Sequence, residues 1–146
     1  MDDIIKIENI RLNVRADNWQ EAIEKAGELL LNSGCITEEY IESMINSIND
    51  LGPYIVIAPH IAIAHARPSK NVLKSDISLV TLKDPVNFGH QQNDPVNLLF
   101  AFSAFENTGH LKQLSRIAEL IEDEERLESI LKSDEVEAAY KIINYK

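Results

Sequence analysis

The chain has 146 residues, of which 45% are hydrophobic, so it is long enough to bury a sizeable core in one domain. Its formal net charge of −10 argues against a nucleic-acid partner, because proteins bind phosphate backbones through an excess of lysine and arginine. The single cysteine, Cys35, excludes an internal disulfide and a cysteine-based zinc site.

The N-terminal residues carry no export signal and lead into a predicted strand. Residues 1–6 lack the basic and apolar regions of a secretory signal, and no apolar run reaches membrane-spanning length. We therefore expect a cytoplasmic location. The strand is predicted because Ile10, Leu12 and Val14 alternate with polar residues.

Two amphipathic helices are predicted next. Asp17 is placed to cap the first, which Gly34 can end, and Thr37 opens the second, which stops at Gly52. Their apolar faces consist of Trp19, Ala22, Ile23, Ala26, Leu29 and Leu30, and of Tyr40, Ile41, Met44, Ile45 and Ile48. Cys35 lies between the helices, where a packed thiol is expected rather than a nucleophile.

The middle of the chain changes to strand patterns. Runs rich in β-branched residues predict short strands at 54–58, 61–65 and 77–82, with a proline after each of the first two. Residues 96–105 are apolar on both faces, as in a central buried strand.

The last third is predicted to be helical. Thr108 is placed to cap a helix, and two shorter helices follow, one near residues 124–132 and one opened by residues 133–135. The inward residues of the first of these helices are expected to be Leu111, Leu114, Ile117, Ala118 and Ile121. With no repeat, low-complexity tract or linker, the pattern predicts one α/β domain over residues 1–146.

Two histidines and an arginine stand in the otherwise apolar run at residues 52–68. Burying an imidazole without a partner costs free energy, so His60 and His65 need a reason to be there. Histidine titrates near neutral pH and can act as a nucleophile, a base or a metal ligand. Arg67, two residues after His65, offers a fork of donors suited to phosphate or carboxylate. The pattern therefore predicts chemistry on an anion.

His110 is the second candidate histidine. If Thr108 is the N-cap, His110 lies in the first helical turn, where free N–H groups and the helix dipole favour an anion. Ligands of open α/β sheets bind beyond the carboxyl ends of strands. If strands 61–65 and 96–105 are parallel neighbours, His65 and His110 converge on one crevice. Taken alone, His110 is better explained as a solvent-exposed histidine without a role.

A metal site receives less support from the spacing. His60 and His65 are five residues apart, so on a regular strand their side chains point to opposite faces. A zinc site that adds His110 stays open, but it has no recognisable ligand spacing. His90 lies in a polar loop and is expected to be solvated.

The run from Tyr54 to Pro68 resembles the active-site strand of enzyme IIA components of the sugar phosphotransferase system (PTS). The type is the mannitol/fructose one, and the closest subgroup is the ascorbate-type IIA proteins. Residues 94–102 are similar to the central strand of that family, and residues 106–114 to the start of its second-histidine helix. The resemblance extends over nearly the whole chain.

This resemblance implies a fold, a site and partners. The fold is a mixed, mostly parallel sheet flanked by helices on both faces. His65 matches the phosphorylated histidine and His110 the supporting one. The phosphoryl donor is the phosphocarrier HPr, and the acceptor is a cysteine or histidine on a IIB component. The membrane is reached only through the IIC transporter, with L-ascorbate as the sugar in the closest subgroup. Neither a cofactor nor a metal is implied, because a phosphohistidine donor is already activated.

The chain departs from the family pattern at three places. The family usually has glycine where this chain has His60, and often proline where it has Ala64. Mannitol-type members carry an arginine in the second helix, where this chain has residues 44–47 without one. Stabilisation of the phosphoryl group is therefore expected from Arg67, with a solvated charge at the strand end as the equally weighted alternative. The alternatives are a regulatory or binding module of the same fold, which senses phosphorylation without relaying phosphate, and a metal-dependent hydrolase that uses the histidines.

Overall fold

The computed structural model describes residues 3–104 and 111–145, which form a β-sheet with helices packed on it. In chain order the strands are β1 (Ile10–Val14), β2 (Val56–Ala58), β3 (Ile61–Ala64), β4 (Asp76–Val86) and β5 (Val96–Ser103). The helices are α1 (Trp19–Asn32), α2 (Glu38–Leu51), α3 (Leu111–Glu122), α4 (Glu124–Lys132) and α5 (Val136–Asn144), and a 3₁₀ turn covers Ile7–Asn9. None of the helices in these ranges is long and apolar enough to cross a membrane.

The sheet has the order β1-β4-β5-β3-β2 and is mixed, as expected. Strands β1 and β4 are parallel, as are β3 and β5, whereas β4 with β5 and β2 with β3 are antiparallel. The sheet was expected to be mostly parallel, but among the described strands two pairs are parallel and two are antiparallel. Strands β3 and β5 are parallel neighbours, as the prediction of a crevice beside His65 required, and their carboxyl ends lie at the same edge of the sheet.

Helices cover both faces of the sheet, which confirms the expected layering. Helices α1 and α2 pack on one face, and α3, α4 and α5 pack on the other. Successive residues of β5 serve the two cores in turn: Leu99 and Ala101 face α1 and α2, while Leu98 and Phe100 face the other helices. This division explains why residues 96–105 are apolar without alternation.

The cap of α1 is one residue later than predicted. The side chain of Asn18, not Asp17, accepts a hydrogen bond from the N–H of Glu21 at 2.8 Å. Asn18 has extended backbone angles, which aim its side chain at the third residue of the helix. The predicted ends at Gly34 and Gly52 are confirmed, and both glycines have a positive φ.

The inward face of α3 differs from the prediction at Ala118. Ala118 is exposed, whereas Ile117 and Leu120 are buried against the sheet. The pair Ile117 and Leu120 has the i, i+3 spacing of a helix stripe, and Ala118 falls outside it. Cys35 is buried, as expected, and its burial raises the pKa of the thiol.

Candidate functional site

His65 directly follows β3, at the edge of the sheet where β3 and β5 both end. Its Nδ1 lies 2.9 Å from the carbonyl oxygen of Ile63. Because a carbonyl can only accept, Nδ1 carries the proton and donates it. The lone pair of the neutral ring is therefore on Nε2, which is the nucleophilic nitrogen.

Two aromatic rings hold the imidazole in place. Phe102 stacks on His65 with ring centroids 4.9 Å apart and planes 12° apart. Tyr54 meets the imidazole edge-on at 5.4 Å and 90°. The Tyr54 hydroxyl also lies 3.4 Å from the carbonyl oxygen of His65, a long hydrogen bond. The imidazole is half-buried, and these contacts restrict its rotation.

Tyr40 of α2 brings a buried hydroxyl to the backbone beside His65. Its side chain has no exposed area. The hydroxyl accepts from the N–H of Ala66 at 3.1 Å, and the carbonyl oxygens of Phe102 and Ala66 lie at 3.0 and 3.2 Å as acceptors for its single proton. Burial raises the pKa of Tyr40, so the hydroxyl stays protonated at neutral pH.

His65 lines a cavity of about 690 Å³ between α2, the segment after β3 and the start of α3. This volume lies within the usual range of ligand pockets. The lining residues are Ser43, Ser47, Asp50, Leu51, Tyr54, His65, Ala66, Arg67, Pro68, Ser69, Phe102, Ala104 and Leu114. The cavity therefore leaves room beside His65 for a small group.

Arg67 supplies a full positive charge to the wall of this cavity. It is the only lysine or arginine among the described lining residues, and its side chain is exposed. Ser43 and Ser47 line the α2 side, with hydroxyls that donate to the carbonyls of Glu39 and Ser43 at 3.0 and 2.9 Å. The helix thus offers hydroxyl groups to the cavity, and Arg67 is placed to bind an anion there.

The predicted histidines do not all reach this cavity. His65 and Arg67 lie together on it, whereas His110 falls outside the described residues. His60 precedes β3, so it stands about 16 Å from His65 at a strand rise of about 3.3 Å per residue. It has a φ of 68°, and its Nδ1 donates to the carbonyl of Pro95 at 2.7 Å.

His90 belongs to the loop before β5 and differs from its prediction. It is partly buried rather than solvated, and its Nδ1 accepts from the N–H of Asn93 at 3.1 Å. The metal alternative gains no support from the geometry. Within residues 3–104 and 111–145, histidine, cysteine and carboxylate side chains form no group of three that could hold a metal ion.

Three aromatic residues of the site were not predicted from the sequence. Tyr40 was placed on a helix core face, and Tyr54 and Phe102 were assigned to strands without a role. A signal existed for Tyr40, because a tyrosine on an otherwise apolar face must find a partner for its hydroxyl. No local pattern indicates which backbone groups that partner would be.

The chain matches a known family over almost its whole length. The model of the family "Phosphoenolpyruvate-dependent sugar phosphotransferase system, EIIA 2" covers residues 3–146. The ascorbate-specific PTS system EIIA component of Escherichia coli K12 is 37% identical over 130 residues, which are 88% of this chain and 84% of that protein.

Solved structures show the same fold. The mannitol-specific cryptic phosphotransferase enzyme IIA CmtB from Escherichia coli is 33% identical with a TM-score of 0.84, covering 96% of this chain and 95% of that one. A complex of enzyme IIAMTL with phosphorylated enzyme IIBMTL from Escherichia coli matches with 25% identity and a TM-score of 0.82, covering 95% and 96% of the two chains.

Proposed function

Since the chain belongs to the EIIA 2 family of the phosphoenolpyruvate-dependent sugar phosphotransferase system, we propose that it carries a phosphoryl group on His65 between two partner proteins. The donor is phospho-HPr and the acceptor is a IIB component, which serves a IIC transporter. Residues 1–146 act as a single EIIA type 2 domain. The observation that carries the proposal is the bond of His65 Nδ1 to the carbonyl of Ile63, which leaves the lone pair on Nε2, at a cavity that Arg67 also lines.

The transfer needs positioning and charge stabilisation from the protein. The lone pair of His65 Nε2 forms the new N–P bond while the N–P bond of the donor phosphohistidine breaks, and its electron pair returns to the donor ring. The carbonyl of Ile63 accepts from Nδ1–H and stabilises the positive charge that develops on the imidazole. Arg67 holds the phosphoryl oxygens. His110, which immediately precedes α3 in the sequence, also stabilises them.

The surroundings of the cavity suit a protein partner. Leu51 and Tyr54, which line it, are 71% and 41% exposed, so large apolar side chains face solvent beside His65. A IIB component is the proposed acceptor because the similar enzyme IIAMTL was solved in complex with phosphorylated enzyme IIBMTL. L-ascorbate is the proposed sugar because the curated relatives are ascorbate-specific.

Variants of the histidines test this proposal. The protein is incubated with phosphoenolpyruvate and the upstream phosphodonor proteins, and the acid-labile phosphate is located by mass spectrometry. We expect label on His65 in the wild type and none in His65→Ala. His110→Ala is expected to take up phosphate but to pass it to a IIB component more slowly. His60→Ala is the matched control and should behave as the wild type, because His60 lies at the other end of β3.

Two results would contradict the assignment. Label that persists in His65→Ala would place the phosphate elsewhere. Loss of label in His110→Ala with label retained in His65→Ala would exchange the two roles. Label on His65 that no IIB component accepts would favour the alternative, a regulatory module that senses phosphorylation state without relaying phosphate.

A further inference from the structure

The hydroxyl of Tyr40 joins the ends of β3 and β5 just beyond their last paired residues. The ladder between the strands runs to Ala64 opposite Ala101. Past this pair, the Tyr40 hydroxyl accepts from the N–H of Ala66 at 3.1 Å and can donate to the carbonyl of Phe102 at 3.0 Å. A side chain of α2 thus replaces the missing strand pairing at the edge where the site lies.

Both residues that Tyr40 holds are in contact with the proposed phosphate carrier. Ala66 is the residue between His65 and Arg67, and the ring of Phe102 stacks on the imidazole. The peptide group that joins His65 to Ala66 is bonded by a tyrosine hydroxyl at its N–H and by another at its carbonyl oxygen. Tyr40 is at its N–H, and Tyr54 is 3.4 Å from its carbonyl oxygen.

Tyr40 itself has no access to a phosphoryl group. Its side chain is fully buried, and its hydroxyl is engaged by backbone atoms. Because burial raises its pKa, the hydroxyl remains a donor through the neutral range. Any effect of this hydroxyl on transfer must therefore act through the position of His65.

We propose that Tyr40 is a positioning residue for phosphoryl transfer, whose hydroxyl holds the backbone after His65 so that Nδ1–H stays on the carbonyl of Ile63 and Nε2 faces the donor. The kinetic part of this inference rests on the proposed function. The tautomer of His65 does not, because it is a property of the unphosphorylated protein.

The test uses Tyr40→Phe in the full chain, which removes the hydroxyl and keeps the ring. Nitrogen-15 NMR of the imidazoles reports the tautomer of His65. We expect one Nδ1–H form in the wild type and a mixture in Tyr40→Phe. Transfer measured by rapid quench should slow by about 10- to 100-fold, as when a reacting group is displaced by a fraction of an ångström to an ångström.

The matched control is Tyr140→Phe. It removes a tyrosine hydroxyl that donates to Asp3 at 2.7 Å, on α5 and away from the cavity. This variant should keep both the tautomer and the transfer rate of the wild type.

An unchanged tautomer in Tyr40→Phe would overturn the positioning role, whatever the rate. An unchanged rate with an altered tautomer would overturn its importance for transfer. If the wild type itself takes no phosphate on His65, the proposed function fails, and the NMR comparison still decides whether Tyr40 orients the imidazole.

Discussion

Arg67 and Asp50 bring opposite charges to the wall of the same cavity. No ion pair joins them within the described part of the chain, so the guanidinium is not already committed to a carboxylate. A phosphoryl group on His65 Nε2 would place negative oxygens in this cavity. Arg67 is therefore the side chain best suited to hold these oxygens. The carboxylate of Asp50, by contrast, repels an anion in the cavity.

Replacing Arg67 is expected to slow transfer while leaving the fold intact. For Arg67→Ala we expect about a 10- to 100-fold loss, less than the roughly 10²- to 10³-fold cost of removing an enclosed oxyanion donor, because the side chain is exposed and screened. Arg67→Lys should recover only part of the rate, since a point charge does not reproduce the guanidinium fork. Rapid-quench kinetics measure both rates.

The control for Arg67 is Lys70→Ala, because Lys70 is an exposed cation nearby in sequence that does not line the cavity. Its transfer rate should match the wild type. Wild-type rates in both Arg67 variants, with circular dichroism showing an intact fold, would make Arg67 an ordinary surface charge.

At the scale of elements, helix α2 uses two of its faces for different purposes. Tyr40, Met44 and Ile48 recur at i, i+4 and i+8 and are buried in the core. Ser43 and Ser47, also four residues apart, line the cavity. One helix therefore supplies part of the cavity wall and also the buried hydroxyl that binds the backbone beside His65.

The start of helix α1 offers a stability test. Asn18→Ala removes the side chain that accepts from the N–H of Glu21, and it should lower the free energy of unfolding by about 1 kcal/mol. Asp17→Ala, the neighbouring exposed position, should change it by less than about 0.5 kcal/mol. Urea unfolding at equilibrium measures both; equal losses in the two variants would show that Asn18 is not the cap.

At the scale of the whole molecule, Asn144 ties the two ends of the chain together. Its side-chain oxygen accepts from the N–H groups of Ile4 and Ile5 at 2.6 and 3.2 Å. Its side-chain nitrogen donates to the carbonyls of Ile5 and Tyr140, both at 3.0 Å. The side chain is buried, so these bonds satisfy backbone groups that water does not reach freely.

Removing this amide should destabilise the protein without changing its chemistry. Asn144→Ala leaves buried backbone groups without partners, and we expect a loss of about 2–3 kcal/mol in the free energy of unfolding. Phosphoryl transfer by the folded fraction should be unchanged, because Asn144 lies on α5 and not on the cavity.

The comparison is with Asn46→Ala, at an exposed position inside α2, which should alter stability by no more than about 0.5 kcal/mol. Thermal unfolding followed by circular dichroism measures both variants. Equal stability of Asn144→Ala and the wild type would show that the link between the chain ends adds nothing.

Much of the architecture could be predicted because it is local in the sequence. Hydrophobic periodicity indicated the helices and strands, and the run at 96–105 indicated a strand buried on both faces, which became β5. His65 and Arg67 could be identified as candidate site residues because burying a polar or charged side chain in an apolar segment without a partner costs free energy. Those signals come from residues that are close together in the sequence, so they can be detected without knowledge of the fold.

Only the tertiary structure decided which distant residues meet. The parallel pairing of β3 with β5 sets Phe102 against His65, and the packing of α2 brings the Tyr40 hydroxyl to Ala66. The same geometry separates His60 from His65, although both belong to one apolar run. Strand order and helix packing depend on the free energy summed over the whole core, and no local pattern contains that sum.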